Sequence, residues 1–171
     1  NWTGAGPTDF PTAKRISDAS ITAEQERTYG CWRCPIRCGG FMKAKAGRAH
    51  VSHKPQYETL VMAGALCLND DLESIIRFND LCNAYGLDTI STGAAIAFAI
   101  ECYQKGILTK QELGMELKWG DGEAVVAMAE KIANREGIGA LLADGVMRTA
   151  KKLGKGAEQF AAHCQGQELP A

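Results

Sequence analysis

The stretch Ser91–Gly106, STGAAIAFAIECYQKG, constrains this chain more than any other. It opens at a serine, closes on glycine and is apolar around most of its circumference. A helix of that kind has no face to give to water and must be buried on several sides. Its neighbours have to be other helices, and the flanking sequence supplies them. YETLVMAGALCL reads as a helix of small and apolar residues. NDDLESIIRFNDLCNAYG starts at an Asn/Asp cap, spaces Leu72, Ile75, Ile76 and Leu81 helically, and ends at Gly86. GDGEAVVAMAEKIANREG and GALLADGVMRTAKKLG each predict about four turns closing on glycine. Thr109 and Glu112 are spaced as a capping box opening a short turn. Only the last stretch, AEQFAAHCQGQELPA, loses the period and reads as extended.

Ahead of Tyr57 the pattern is less regular. Residues 1–20 are rich in Gly, Pro, Thr and Ser and predict an irregular lead-in. Thr22 and Gln25 have capping-box spacing, which predicts a short helix ending at Gly30. Gly39 to Pro55 reads as a loop with at most a short strand pair. The expected fold is therefore mainly α, a multi-helix domain with irregular N-terminal and cysteine-loop segments. At 171 residues the chain suits one domain, or most of one. A net charge of -1 gives no reason to expect nucleic acid as a partner, and the apolar runs are too short to span a membrane. No secretory signal is evident. The chain begins without methionine and stops abruptly at QELPA, so it is expected to be part of something longer.

Seven cysteines are distributed unevenly. Cys67, Cys82, Cys102 and Cys164 are scattered and read as small buried hydrophobes in a chain of the reducing cytoplasm. The other three fall within CWRCPIRC, at Cys31, Cys34 and Cys38. Thiolates at this spacing converge on one centre only if the backbone turns tightly, and Gly30, Pro35, Gly39 and Gly40 provide for that. Zinc sites usually carry two separated ligand pairs. His50 and His53 form an H-x2-H that keeps zinc open, although the spacing is shorter than in a finger. C-x2-C-x3-C suits an iron–sulfur cluster better, with three local ligands and one remote; the radical-SAM order is the reverse. Arg33, Arg37, Lys43 and Lys45 would stabilise an anionic cluster, and Trp32 and Ile36 would shield it.

Two other places are candidates for chemistry. Glu58 begins a helix with apolar and small neighbours. It reads either as a first-turn glutamate favoured by the helix dipole or as a partly buried proton acceptor. The link NAYGLDTISTG, Asn83 to Gly93, concentrates polar groups between two buried helices. It reads as a C-cap followed by an N-cap, or as a site for a heteroatom-rich ligand. His163, with nothing paired to it in sequence, reads as structural.

These segments, in this order, resemble the aldehyde:ferredoxin oxidoreductase family of tungstopterin enzymes. The resemblance rests on C-x2-C-P-I-x-C-G, YET at Tyr57–Thr59, ND from Asn69, GLDTISTG at Gly86–Gly93, WG at Trp119–Gly120, REGIG at Arg135–Gly139 and the terminal ELPA. It implies that residues 1–162 are a helical iron–sulfur and pterin-binding domain, and that 163–171 begin the following helical domain. It implies that Cys31, Cys34 and Cys38 are three ligands of a [4Fe–4S] cluster, the fourth lying in a D-x-x-G-L-C motif beyond residue 171. A sister D-x-x-G-L-D motif, which binds the pterin, reads here Asn83-Ala-Tyr-Gly86-Leu87-Asp88. Asn83 departs from the family's Asp, exchanging an acceptor-only group for one acceptor and two donors.

The same resemblance makes Glu58 a candidate proton acceptor near the metal. Where some members place an iron-binding E-x-x-H, this chain reads Arg77-Phe78-Asn79-Asp80, so no such iron is expected. Arg77 and Asp80 are expected to be helix-surface residues or dimer contacts. The implied function is oxidation of an aldehyde to a carboxylic acid by a tungsten or molybdenum bis-pterin, with electrons passed through the cluster to ferredoxin, in a cytoplasmic homo-oligomer. An aromatic-ring reductase subunit of benzoyl-CoA type, and a zinc-structured or electron-transfer module without pterin, are the competing readings.

Overall fold

A computed structural model describes residue 4 and residues 6–171. The order of elements is α1 (Gly6–Asp9), α2 (Asp18–Ala23), β1 (Gln25–Tyr29), β2 (Gly39–Met42), α3 (Tyr57–Ala63), α4 (Leu72–Tyr85), α5 (Thr89–Gln104), α6 (Lys110–Leu113), α7 (Gly122–Asn134), α8 (Ile138–Leu142), α9 (Val146–Leu153), β3 (His163–Cys164) and β4 (Gln167–Glu168). The protein is mainly α. Among the described residues the strands form two separate antiparallel pairs, β1 with β2 and β3 with β4.

Helix α5 lies at the centre. From Thr92 to Cys102 every residue is buried, and α3, α7, α9 and β4 all pack against it. Its approach to α3 is close. A Cβ on Gly93 would lie 2.7 Å from Met62 Cβ and 2.8 Å from the Met62 carbonyl, so only glycine allows this crossing. One turn earlier, Thr59 Oγ1 and Thr89 Oγ1 are hydrogen-bonded at 2.9 Å. Contacts 59–89 and 62–93 advance together along both helices, so α3 and α5 run parallel and present their N-termini at the same end.

Helix α4 has two working faces. Ile75, Phe78 and Cys82 enter the main core, which α7 also lines through Val125, Met128 and Ala129. Ile76 packs with Ile21 and Met42 in a second small cluster beneath the β1–β2 hairpin. Asp71 caps α4 through the Glu73 N–H, and Gly86 ends it in the left-handed region at φ 69°. Asn69, fully buried, donates to the Ala63 carbonyl and Ser74 Oγ and accepts from the Asp71 N–H.

Several local expectations are corrected. Gln25–Tyr29 is a strand, not part of a helix. The preceding helix is capped at Ser17, and it ends before residue 25 because β2 offers pairing partners and cross-strand contacts. Arg27 lies over the Phe41 ring at 3.8 Å, and Tyr29 pairs with Gly39. Tertiary pairing here overrides a local capping signal. The lead-in holds α1, a 3-10 turn at Ala13–Ile16 and α2, while residues 1–3 and 5 lie outside the described part. The helix from Tyr57 stops at Ala63, because Gly64 sits against the Leu60 carbonyl and the Ile16 and Ile75 side chains, and a 3-10 turn follows. GALLADGVMRTAKKLG is two helices, broken at Asp144–Gly145, where Gly145 adopts φ 85°. Helix α7 closes on left-handed Arg135 rather than on glycine. Helix α5 begins at Thr89, capped by Asp88, two residues ahead of Ser91.

Candidate functional site

Cys31, Cys34 and Cys38 stand on the loop joining β1 to β2. The Cys34 N–H donates to the Cys31 carbonyl at 3.0 Å, and Arg33 and Arg37 take left-handed backbone at φ 57° and 52°. Non-glycine residues seldom adopt that conformation, so the loop is wound tightly. Arg37 lies across Gly30, where a Cβ would come within 2.9 Å of Arg37 Cγ. All three thiols are free; Cys31 and Cys38 are exposed and Cys34 half-buried. In number and kind this donor set fits three ligands of an iron–sulfur cluster. Among the described residues, no three His, Cys, Asp or Glu side chains gather around a single-ion position. His53 is engaged elsewhere, its Nδ1 3.0 Å from the Tyr29 hydroxyl.

The surroundings differ from expectation. Trp32 and Ile36 are 87% and 77% exposed, so neither shields the thiols. Lys43 and Lys45 turn away, Lys43 donating to the Ala23 carbonyl and Lys45 pairing with Glu73 at 3.0 Å. Arg33, beside Trp32, and Arg37 are the cations that belong to the loop. Of the scattered thiols, Cys67, Cys82 and Cys102 are buried as expected, and burial pushes each up to about 12. Cys164 is exposed, because its short strand lies at the surface.

Helix α4 holds the cysteine-bearing hairpin through polar contacts that the sequence reading missed. Arg48, its side chain 1% exposed, donates to Glu73 at 2.8 and 2.7 Å, to Glu24 at 2.7 Å and to the Lys43 carbonyl at 2.8 Å. These bonds hold Glu24 and Glu73 below the ordinary glutamate range. Asp80 is no surface residue. It is buried and accepts from Ser52 Oγ at 2.9 Å and the Ala49 N–H at 3.1 Å, fixing the segment after β2. Arg77 does lie near the surface and pairs with Glu123.

Glu58 and Asp88 lie at the shared N-terminal end of α3 and α5. Glu58 is half-buried in the first turn of α3, and its Oε2 accepts from the Ala171 N–H at 2.8 Å. Asp88 is exposed and caps α5, accepting from the Ser91 N–H at 2.7 Å. Leu87 is half-buried, and Asn83 exposed on the last turn of α4. Leu87, Asp88, Ser91 and Thr92 line a cleft of about 220 Å³ whose other wall includes Arg135 and Gly145. Residues 167–171 pass across this end. Gln167 reaches Ser91 Oγ at 3.5 Å, and buried Glu168 accepts from the Val146 N–H at 2.8 Å, closing the start of α9. His163 accepts from the Gly166 N–H at 3.2 Å within the β3–β4 turn.

Fold and site together define a mainly helical domain that carries a free-thiol loop on a hairpin held to α4, and a cleft that starts just after the end of that helix. The chain belongs to the aldehyde ferredoxin oxidoreductase family: it matches the family described as "Aldehyde ferredoxin oxidoreductase, domains 2 & 3" over residues 1–171. It is 41% identical over 165 residues to the tungsten-containing aldehyde ferredoxin oxidoreductase of Thermococcus kodakarensis, covering 95% of this chain and 27% of that protein. It is 37% identical over 147 residues to the aliphatic sulfonate oxidoreductase, WOR-like subunit, of Pyrococcus furiosus, covering 82% of this chain and 24% of that one. The active site complex BamBC of benzoyl coenzyme A reductase, in complex with 1,5-dienoyl-CoA, superposes with a TM-score of 0.75 at 29% identity, over 86% of this chain and 22% of that one. The chain thus spans about a quarter of the length of the relatives it matches. Among the described residues no helix is long and apolar enough to cross a membrane.

Proposed function

We propose that this chain is part of a tungsten- or molybdenum-pterin oxidoreductase that converts an aldehyde and water to a carboxylic acid, releasing two electrons and two protons. When bound, the metal–pterin centre supplies the two-electron chemistry and a [4Fe–4S] cluster passes the electrons singly to ferredoxin. Cys31, Cys34 and Cys38 hold the cluster through three thiolates, with the Arg33 and Arg37 charges offsetting its negative charge. Asn83, Leu87 and Asp88 bind the pterin from the end of α4, where Asp88 also orders the first turn of α5. Glu58 takes one of the released protons. Residues 1–162 form the cofactor-binding domain and 163–171 begin the next, in a cytoplasmic homo-oligomer.

The observation that supports this reading most is the placement of the three motifs. The Asn83–Asp88 turn and Glu58 lie where α3 and α5 begin, and the hairpin that carries the thiol loop is tied to the middle of α4 through the His53 carbonyl and Asn79. A cluster and a pterin held there would sit on neighbouring parts of one rigid frame. Replacing Glu58→Gln in the full-length enzyme should lower turnover while tungsten or molybdenum and iron contents stay at wild-type levels. Normal turnover across the pH range would refute the proton-acceptor role. Zinc alone in anaerobically purified protein would refute the whole reading.

The likeness to the benzoyl coenzyme A reductase complex favours one second reading, a ring-reducing subunit of the same family. Such a subunit would share the thiol loop and the pterin turn, and turnover of aldehydes against aryl coenzyme A thioesters separates the two.

A further inference from the structure

The thiol loop leaves the hairpin through a neck formed by Tyr29–Gly30 on one side and Gly39 on the other. Tyr29 and Gly39 are cross-strand partners, and a Cβ on Gly39 would lie 2.6 Å from the tyrosine ring. The ring therefore lies flat over the glycine and closes the neck one residue away from Cys38. Its hydroxyl is hydrogen-bonded to His53 Nδ1 at 3.0 Å, and the two rings meet edge to face at 5.5 Å. His53 also packs on Phe41, to which its backbone is bridged, and the next residue's N–H donates to the Gly40 carbonyl at 2.8 Å.

The His53 carbonyl accepts from Asn79 Nδ2 at 3.0 Å, and Asn79 is a buried residue of α4, 5% exposed. Asn79 and Asn83 are one turn apart on the same side of that helix, about 6 Å along its axis. Three steps thus lead from the cysteine loop to the Asn83–Asp88 turn, through a tyrosine, a histidine and an asparagine. Tyr29 also packs on Phe41, with ring centroids 4.9 Å apart, so aromatic contacts and hydrogen bonds together hold the neck, while the small cluster of Ile21, Met42 and Ile76 lies under the other end of the hairpin.

We propose that Asn79, His53 and Tyr29 are a positioning chain that fixes the neck of the Cys31–Cys38 loop relative to the Asn83–Asp88 end of α4. The inference rests on the reading that the loop holds a cluster and the turn holds the pterin. Under that reading, the chain sets where the thiolates point and holds them still. A rigid donor set gives the cluster one environment, whereas a loosened neck gives it several and lets its ligands swing away from the metal.

The test uses the full-length enzyme carrying Tyr29→Phe, which keeps the ring over Gly39 and deletes only the hydroxyl, with Asn79→Ser as a second break in the chain. Metal and iron contents should match wild type, and the melting temperature should fall little. The electron paramagnetic resonance signal of the reduced cluster should broaden or shift, and its reduction potential should move. Iron release to a chelator should quicken about fivefold, the factor given by losing one hydrogen bond of ordinary strength when opening of the loop limits release. Amide exchange over residues 30–39 in the metal-stripped protein should rise by a similar factor while α5 is unchanged. Wild-type spectra, release and loop exchange in both variants would overturn the proposal. Should the wild-type enzyme itself hold no iron, the cluster reading falls and the exchange experiment alone decides the anchoring, raised loop exchange supporting it and unchanged exchange overturning it.

Discussion

Replacing Arg48→Met tests how the thiol-bearing hairpin is held to the helical body. Methionine retains most of the buried stem and removes the guanidinium, with its two bonds to Glu73, one to Glu24 and one to the Lys43 carbonyl. Charge-assisted hydrogen bonds contribute about 1.5–3 kcal/mol each, and stripping one partner from a fully buried pair costs about 3–5 kcal/mol. Here the loss is smaller than the sum. Glu24 and Glu73 keep 35% and 27% of their side-chain surface in water, and Lys45 still neutralises Glu73 at 3.0 Å. A net loss of about 2–3 kcal/mol follows, which raises local opening roughly 30- to 150-fold. Amide hydrogen exchange over β1 and β2 in the full-length protein reads it directly, with α5 as an internal reference.

The pH dependence has a definite sign. Arg48 holds both glutamates below their ordinary value of 4.5 in the folded chain. Their stabilisation is therefore fully present above 4.5 and is lost as the pH falls through the folded-state values. The gap between wild type and variant should be full at neutral pH and narrow in acid. A change under about threefold at neutral pH, less than one ordinary hydrogen bond gives, would refute the reasoning. An equal gap at neutral and acid pH would refute its electrostatic part.

Asp88 has both a cap to keep and a proposed ligand to bind, and two substitutions separate these roles. Asp88→Ala should destabilise α5 by about 1 kcal/mol and reduce pterin content, whereas Asp88→Asn should keep the cap and reduce pterin content alone. Unchanged pterin in the asparagine variant would remove Asp88 from the binding set. In metal-stripped protein at mildly alkaline pH, Cys31, Cys38 and Cys164 should alkylate quickly. Cys67, Cys82 and Cys102, buried and pushed up to about 12, should react only after unfolding, which peptide mass mapping reads out. Rapid labelling of any of those three in the native protein would contradict the core described above.

The sequence by itself determined the helical core, because periodicity and caps are local. The apolar circumference of residues 91–106 required burial on several sides, and α5 is enclosed as that demanded. Asp71, Thr109, Gly86 and Gly154 mark boundaries where their side chains or backbone freedom allow little else. The thiol spacing was legible too, and the ordered set of motifs resembled the family to which the chain belongs. The breaks at Gly64 and Gly145 had signals, a glycine inside a helical run and an Asp-Gly pair, which helix periodicity outweighed.

Tertiary structure alone decided which polar residues work together. Gln25–Tyr29 became a strand because Gly39–Met42 was there to pair with it, and no local rule contains that partner. Asp80 looked like a surface residue by position, yet it holds the segment after β2, since the loop that meets it lies about 30 residues back. Glu58 and Asp88 came to the same end of the molecule because a glycine at position 93 lets α5 lie parallel against α3. Caps and periods are written within a few residues; hydrogen bonds across long separations depend on packing, which only the folded chain supplies.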